Sequence, residues 1–395
     1  MIKIFTAYTQ EFDNAERALG EILNQLDIKN NLRKNTVAVV FCHSKFIENG
    51  ITAAVCKNLP FNILGCTSQY FAMSKIMSAK TPAVKGEIML VVTVITSDDT
   101  EFVTGLSDPL CKNTAEANIQ SLYKKTSEAL GAEPSLMFAF QPSLPDLTGD
   151  AMTEILDHAC GEIPVFGAVA LDIDTRIRNP KTIYGDAAYG DRMSLLLFKG
   201  PVKPRFFYSF IPEKFVIPQD AVITAAENNR IISVNNEPAA AFVKELGFFQ
   251  YNEKDSDLTI PLITENNDGT GPQAVVILGM SPEGELICNR VMNSGEVLGI
   301  GMMTSDYVLE SAAALVQDIK NNGNGADFFI FSCFLRSNLL GGSHKDEIEL
   351  IEKELEGFPG SCLFISSAGE ICPRYIEFGK TRNRMYAYAI IACQF

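Results

Sequence analysis

The sequence lacks the closely spaced ligands of a structural metal site. Its ten cysteines include no Cys-x-x-Cys pair, and its three histidines, His43, His158 and His344, are scattered. A structural zinc site needs clustered Cys and His ligands, so the sequence predicts no such site. Most of the cysteines lie in apolar segments, where cysteine acts as a small hydrophobic residue, and this usage fits a reducing compartment.

Positive charge and long apolar runs are also scarce. The chain has 48 acidic and 33 basic side chains, and its formal charge of −15 works against binding nucleic acid or an anionic membrane. No apolar run reaches the roughly 18 residues of a membrane helix, and the N-terminus has no basic stretch before an apolar core. We therefore expect a cytoplasmic protein that is neither exported nor inserted into a membrane, and that binds no nucleic acid.

A strand-helix-strand-strand pattern occurs three times, at about residues 35–100, 135–200 and 327–395. In the third copy an apolar run ends in Ser332-Cys333, a glycine loop and an amphipathic helix follow, and a second apolar run ends in Ser366-Ser367-Ala368-Gly369-Glu370. The first two copies repeat this order, with a proline before the second strand and a further strand after it. These strand ends are predicted to converge.

The length of 395 residues indicates more than one core. Two prolines among basic residues at 199–204 suggest a boundary, which gives domains 1–200 and 201–395. The second domain begins with antiparallel strands and a helix and ends with the third copy. We predict an α/β (α+β) fold with mixed sheets flanked by helices, built from repeated β-α-β-β units in two domains.

Five short motifs follow one another along the chain. They are Gly65-Cys66-Thr67-Ser68, the segment VFGAVALD at 165–172, Asn235-Asn236-Glu237-Pro238-Ala239, Phe331-Ser332-Cys333-x-x-Arg336 and Ala368-Gly369-Glu370-Ile371. In order and spacing they resemble the FIST family of bacterial sensory proteins, with its N-terminal and C-terminal domains both present. The similarity spans nearly the whole chain. Relatives tend to carry Ala-Gly-Glu in the first copy as well, whereas here Gln69, Tyr70 and Phe71 follow Ser68.

The resemblance implies a non-catalytic sensor in signal transduction that binds an amino acid or a related small molecule. Because the family-like region covers the chain, we expect the signal to pass to a separate protein, such as a histidine kinase, a chemoreceptor or a cyclic-dinucleotide enzyme. Some relatives bind haem and respond to nitric oxide, so a haem gas sensor is the alternative. Signalling would require a movable element, for which the two halves joined near residues 199–203 are the candidate.

Glu370, with Gly369 and Ser367, is the first candidate for a ligand contact. A carboxylate after a small-residue turn at a strand end can meet a ligand ammonium group, and open α/β sheets bind ligands at such ends. The alternative is a turn carboxylate that accepts backbone N–H groups. Arg336 lies where it would clamp a ligand carboxylate or pair with Glu370, or it is an ordinary surface arginine.

The remaining candidates are weaker. Thr67 and Asp172 follow the corresponding turns of the first two copies, and Asp172, with Asp174, would cap a loop or contact the ligand. Cys333 belongs to the predicted ligand wall, and together with His344 it raises a third hypothesis, a cysteine-dependent hydrolase. His43 follows a strand end and would serve as a haem ligand. Unless haem is bound there, we expect no cofactor and no metal.

Overall fold

The computed structural model describes residues 2–75, 84–172, 179–246, 262–266, 271–375 and 380–395. Within these ranges the chain forms three six-stranded sheets and one eight-stranded sheet, with helices packed against them. The predicted mixed α/β fold is confirmed. The three six-stranded sheets are built by three units of one plan, and each unit is longer than the repeat seen in the sequence.

The first unit starts with a strand and a helix that precede the predicted repeat. Its elements are β1 (Lys3–Thr9), α1 (Ala15–Leu26), α2 (Ile28–Asn31), β2 (Asn35–Cys42), α3 (Ser44–Glu48), α4 (Ile51–Lys57), β3 (Asn62–Thr67), β4 (Phe71–Lys75), β5 (Val84–Gly86) and β6 (Leu90–Ser97). The side chain of Asn14 caps α1 by accepting the Arg17 N–H. The amphipathic segment predicted up to Asn58 is divided into α3 and α4 because Gly50 adopts a φ of 71°.

The second unit repeats this order. Its elements are β7 (Glu101–Leu106), α5 (Ala115–Leu130), β8 (Leu136–Gln141), α6 (Gly149–Cys160), β9 (Val165–Val169), β10 (Thr182–Tyr184), β11 (Ala187–Tyr189) and β12 (Ser194–Lys199). The helix predicted over about 150–160 is α6, and the Thr148 hydroxyl caps it by accepting the Ala151 N–H.

The third unit is interrupted by an insertion after its first strand. β13 (Arg205–Ser209) is followed by β14 (Val216–Glu227), β15 (Arg230–Val234), β16 (Glu237–Pro238), α7 (Ala239–Glu245), β17 (Leu262–Asn266), β18 (Gly271–Val275), β19 (Ile277–Met280), β20 (Leu286–Cys288) and β21 (Val297–Gly301). The strands from β14 to β21 form the eight-stranded sheet, in which the recorded pairings are antiparallel. The predicted antiparallel segment is therefore this insertion.

The rest of the third unit follows the plan of the other two. Its elements are α8 (Ser305–Asn322), β22 (Phe328–Cys333), α9 (Phe334–Leu339), α10 (Lys345–Glu354), β23 (Ser361–Ser367), β24 (Glu370–Tyr375), β25 (Thr381–Tyr386) and β26 (Ile390–Gln394). The sequence predicts one strand across 382–391, but the chain turns at Tyr388, whose φ is 58°. Apolar residues continue through this turn and hide it from a hydrophobicity pattern.

The units exchange hairpins. In each unit the two central strands are parallel, namely β2 with β3, β8 with β9 and β22 with β23. The hairpin that follows them joins the sheet of another unit: β4–β5 pairs with β23, β10–β11 with β3, and β24–β25 with β9. The three sheets share one core, in which Phe41 contacts Phe140 and Phe331 at ring-centroid distances of 5.5 and 5.7 Å.

This exchange bears on the expected hinge near residues 199–203. Moving residues 1–200 as a body against 201–395 would break the β4–β23 ladder and the contact of β24 with β9. Buried backbone groups that lose their hydrogen bonds are costly, so these pairings oppose such a movement, and the hinge near residues 199–203 stays a prediction. The predicted domain boundary lies between β12 and β13, and the division into 1–200 and 201–395 stays a prediction.

Gly167 shows that one of the family-like motifs is required by packing. A Cβ at this position would lie 1.9 Å from the carbonyl oxygen of Ala139 in the adjacent strand. We expect Gly167→Ala to lower the free energy of unfolding by about 3 kcal/mol, the upper part of the range for overpacking, as measured by urea denaturation. Gly20→Ala is the matched control: nothing lies within 4 Å of its Cβ position in α1, so alanine should be neutral or stabilising by up to about 1 kcal/mol. Equal effects at both positions would contradict the close approach at Gly167.

Candidate functional site

Three loops, one from each unit, meet where the parallel strands end. They are residues 67–70 after β3, 169–172 after β9, and 366–370 at the end of β23. The loops are joined by hydrogen bonds from Leu171 N–H to the Thr67 carbonyl (3.0 Å), from the Ser68 hydroxyl to the Ser366 carbonyl (2.6 Å) and from Ala368 N–H to the Val169 carbonyl (3.1 Å). The structure thus brings together the loops that carry Thr67, Asp172, Ser367, Gly369 and Glu370.

Glu370 is fully buried at the start of β24. Its Oε1 accepts a hydrogen bond from the Ser367 hydroxyl at 2.7 Å, whereas Oε2 has no hydrogen-bond partner in the described part of the chain. Burial raises the pKa of this carboxyl well above its ordinary value. Burial thus favours the protonated form of Glu370, and the ligand contact expected of its carboxylate stays a prediction.

Tyrosine and cysteine side chains extend the surroundings of Glu370. Tyr386 is its cross-strand partner in β25, so both side chains lie on the same face of the sheet. Tyr388 is fully buried, and its hydroxyl has no hydrogen-bond partner among the residues described. Cys333, at the end of β22, is also fully buried, and burial, followed by the Glu370 carboxyl, raises the pKa of its thiol. Most buried polar groups are hydrogen-bonded, so the unpaired atoms of Glu370 and Tyr388 require an explanation.

Arg336 is neither a surface arginine nor the partner of Glu370, the positions that the sequence suggested for it. It is fully buried in α9, and its guanidinium pairs with Glu347 of α10, with Nε–Oε1 and Nη2–Oε1 distances of 2.8 and 2.5 Å. Its remaining N–H groups donate to the Tyr307 and Ser311 hydroxyls and to the carbonyls of Val308 and Tyr388. The predicted pair with Glu370 and the surface position are both wrong. Because every guanidinium N–H is engaged, no donor is left to clamp a ligand carboxylate.

Glu347 is a further residue of this site, and it is absent from the sequence-based candidates. It lies at the N-terminus of α10, is fully buried, and accepts hydrogen bonds from Arg336, from the Ser332 hydroxyl (3.0 Å) and from His344 Nδ1 (2.7 Å). Despite its burial, Arg336 and then His344 lower the pKa of Glu347 to about 2. A closer reading of the helix would have found it, since His344, Glu347 and Ile351 share one helical face by their spacing of three and four.

The cysteine–histidine pair of the hydrolase hypothesis is not formed in the described residues. The ring nitrogens of His344 contact Glu347 and, at 3.1 Å, the Ser366 hydroxyl. Burial, and then the Glu370 carboxyl, raises the pKa of the Cys333 thiol well above its ordinary value. The thiolate is the nucleophilic form, so Cys333 does not meet the first requirement of a cysteine hydrolase.

Gly369 and Thr67 have structural contacts of their own. A Cβ on Gly369 would lie 2.6 Å from Met385 Sδ, so the loop packs directly against β25. The Thr67 hydroxyl accepts the Lys181 N–H at 2.9 Å, and its own N–H donates to the Lys181 carbonyl at 2.9 Å. Both contacts hold the loops together, and a ligand role for either residue stays a prediction.

Asp172 and His43 occupy capping positions. Asp172 is buried, and its Oδ2 accepts the Asn179 N–H at 3.0 Å, which fits the loop-capping alternative. Asp174 lies outside the described residues. His43 Nδ1 accepts the Lys45 N–H at 3.3 Å at the start of α3, and burial lowers the pKa of its ring. A ligand contact by Asp172 and haem binding at His43 remain untested predictions.

No group of three or more His, Cys, Asp or Glu side chains in the described ranges could hold a metal ion. No helix among them is long and apolar enough to span a bilayer.

Comparisons with known proteins place the chain in a family. The model of the FIST N domain matches residues 36–237, and the model of the FIST C domain matches residues 239–373. A search of curated proteins found no match. A crystal structure of cyanuric acid hydrolase from A. caulinodans covers 100% of this chain and 98% of its own, with 7% identity and a TM-score of 0.33, a similarity too low to support any inference. The two domain matches together cover most of the sequence, and the chain belongs to the FIST family of sensory domains.

Proposed function

We propose that this protein senses a small molecule with an amino group, such as an amino acid or a related compound, through Glu370. The observation that carries the proposal is the buried Glu370 carboxyl with an unpaired Oε2, on a loop that meets the loops of both other units. A ligand ammonium at this oxygen would form a charge-assisted hydrogen bond, the stronger class of polar contact. The family's sensory role supports a signalling function.

The other contacts follow from the neighbours of Glu370. The Ser367 hydroxyl already holds Oε1, so it fixes the orientation in which Oε2 meets a ligand. The Tyr388 hydroxyl, also unpaired within the described ranges, is a candidate second contact. Arg336 acts indirectly, since its Nη1 donates to the Tyr388 carbonyl at 3.1 Å and fixes that turn.

The signal would leave through the hairpin that contains Glu370. Strand β24 pairs with β25, and Gln273 of the insertion donates a hydrogen bond to the Met385 carbonyl of β25 at 2.5 Å. A ligand that favours one position of this hairpin would change the insertion, provided that it binds the two positions with different affinities. The receiver would be a separate cytoplasmic protein such as a histidine kinase, a chemoreceptor or a cyclic-dinucleotide enzyme.

A thermal-shift screen of amino acids and small amines tests the proposal, followed by calorimetry on each hit. Because Glu370 starts neutral, binding a cation there must release a proton. At pH values below the pKa of the free site, we expect the affinity for an amine ligand to increase about tenfold for each pH unit by which the pH is raised. Calorimetry in buffers of different ionisation enthalpy measures the proton release.

Glu370→Gln should remove both the binding and the proton release, whereas Glu356→Gln, at an exposed position of the same unit, should leave them unchanged. Binding that survives Glu370→Gln would place the ligand elsewhere. A folded protein that responds to no amine in the screen would count against the ligand class.

A further inference from the structure

The side chains of Ser366, His344 and Glu347 form a second arrangement next to the Glu370 contact, and Ser366 belongs to the same loop, residues 366–370. The Ser366 hydroxyl lies 3.1 Å from His344 Nε2, and His344 Nδ1 lies 2.7 Å from Glu347 Oε2. A nucleophile within reach of a base, and a base oriented by a third group, is the arrangement of serine hydrolases with an acidic third member. The three residues come from β23 and from the start of α10.

The protons of this arrangement can be assigned from its surroundings. Glu347 is held ionised, since Arg336 lowers its pKa to about 2 despite burial, and it therefore only accepts hydrogen bonds. His344 Nδ1 must then carry the proton that Glu347 accepts. When the imidazole is neutral its other nitrogen is an acceptor, and Ser366 then donates its hydroxyl proton to His344 Nε2. This leaves the lone pairs of Ser366 Oγ directed away from the base.

The corresponding positions of the other two units lack such a base. Thr52 of α4 contacts Cys42 Sγ at 3.5 Å, and Gln141 donates to the Thr153 hydroxyl of α6 at 2.9 Å. All three pairs join the end of the first parallel strand to the following helix, where Ser332 contacts Glu347 in the third unit. A neutral pair is enough for that purpose in the first two units. The buried acid and histidine of the third unit therefore exceed what holding a helix on the sheet requires.

Tyr70 of the first unit covers the arrangement. Its ring packs edge-to-face on His344 with a centroid distance of 5.1 Å, its hydroxyl donates to the Gly342 carbonyl, and its own carbonyl accepts the Ser366 N–H at 3.1 Å. Tyr70 is 8% exposed, and Ser366 is 1% exposed. Tyr70 therefore packs on His344, the base of the arrangement, from another unit.

We propose that Ser366, His344 and Glu347 form an acyl-transfer site that takes small esters or thioesters and is closed by Tyr70. Ser366 Oγ attacks the acyl carbon while its proton passes to His344 Nε2, and the same proton then leaves with the alcohol or thiol. Water, deprotonated by His344, releases the acid from the acyl-serine and restores the starting state. The Arg336 charge partly offsets that of Glu347, so the imidazolium is weakly stabilised, and covalent labelling is a better measure than turnover.

The test uses a fluorophosphonate probe, which replaces its fluoride with Ser366 Oγ and releases HF, and peptide mass spectrometry to locate the adduct. We expect Tyr70→Ala protein to be labelled at Ser366 faster than wild type. His344→Gln in the Tyr70→Ala background should slow labelling by about 100-fold or more, the usual contribution of a general base. Ser44→Ala, which removes a buried hydroxyl without a hydrogen-bond partner in the described residues, should leave the rate unchanged.

The proposal would be overturned by folded Tyr70→Ala protein that stays unlabelled at Ser366, or by labelling that does not depend on His344. If circular dichroism shows that Tyr70→Ala does not fold, Tyr70→Phe keeps the ring and removes only the bond to Gly342. Wild type and Tyr70→Phe are then incubated with p-nitrophenyl acetate, and the absence of acetyl-Ser366 from both also overturns the proposal. None of these results depends on an amine ligand, so they leave the proposed sensor function to its own test.

Discussion

Glu347→Gln should destabilise the folded protein by about 3–5 kcal/mol, the range for breaking a buried ion pair on one side. Arg336 and Glu347 are both fully buried, so the variant leaves a guanidinium charge in the core without its anion. Urea denaturation followed by circular dichroism measures the loss. Glu354→Gln is the matched control: its partner Lys320 is 3.1 Å away, both side chains are substantially exposed, and the expected cost is at most about 1 kcal/mol.

The double variant Arg336→Met with Glu347→Leu completes this test. Replacing both charges with apolar groups removes the unpaired charge, so it should recover much of the stability lost in Glu347→Gln. A Glu347→Gln variant within 1 kcal/mol of wild type would contradict the buried pair. The pair also has a pH signature: the pKa of Glu347 is lowered from 4.5 to about 2, so its contribution is complete above pH 4.5 and is lost as the pH falls towards 2.

Glu370→Gln should have the opposite effect, making the protein more stable than wild type as the pH rises. Burial raises the pKa of Glu370, so the folded state holds this proton at pH values where the unfolded chain has lost it. The contribution of the Glu370 carboxyl to the free energy of unfolding is therefore complete below its pKa in the unfolded chain. It falls by about 1.4 kcal/mol per pH unit as the pH rises, until the pKa of the folded state is reached. Glutamine keeps the shape of the neutral acid without this loss.

Urea midpoints of both proteins between pH 4 and pH 9 would measure this difference, with Glu356→Gln as the exposed control. The two proteins should be similar at the acid end of that range and should diverge above it. A constant difference over the whole range would mean that Glu370 is ionised in the folded state, which would remove the basis for proton release on ligand binding.

The repeated β-α-β-β pattern, the family resemblance and the bounds of helices α6 and α8 were accessible from the sequence. Apolar residues spaced by three and four predict a helix over about 305–321, and α8 spans Ser305–Asn322. Such a pattern needs no tertiary information to be recognised. The three loops of the candidate site can also be located from the sequence, because each contains small residues that directly follow a predicted strand. The carboxyl ends of parallel strands lie at one edge of a sheet.

The hairpin exchange was not accessible in this way. A strand pattern shows which residues face a core, but strands β4 and β24 have the same local appearance whether they pair within their own unit or with another. The continuous apolar run from Tyr386 to Ile391 likewise gives no sign of the turn at Tyr388, because both strands and the turn between them are buried.

By itself the sequence determined the fold class, the family and the small-residue loop that carries Glu370, since these depend on local periodicity and on motif order. Tertiary structure alone decided the charge states and partners in the third unit. Arg336 is separated from Glu347 by a single loop, yet whether it meets Glu347, Glu370 or solvent depends on how α9 and α10 pack on β22. Burial raises the pKa of both glutamates, and the neighbouring cation decides the outcome. Arg336 and then His344 overcome burial at Glu347 and lower its pKa to about 2, whereas Glu370, with no cation in hydrogen-bond contact among the described residues, keeps a pKa well above its ordinary value.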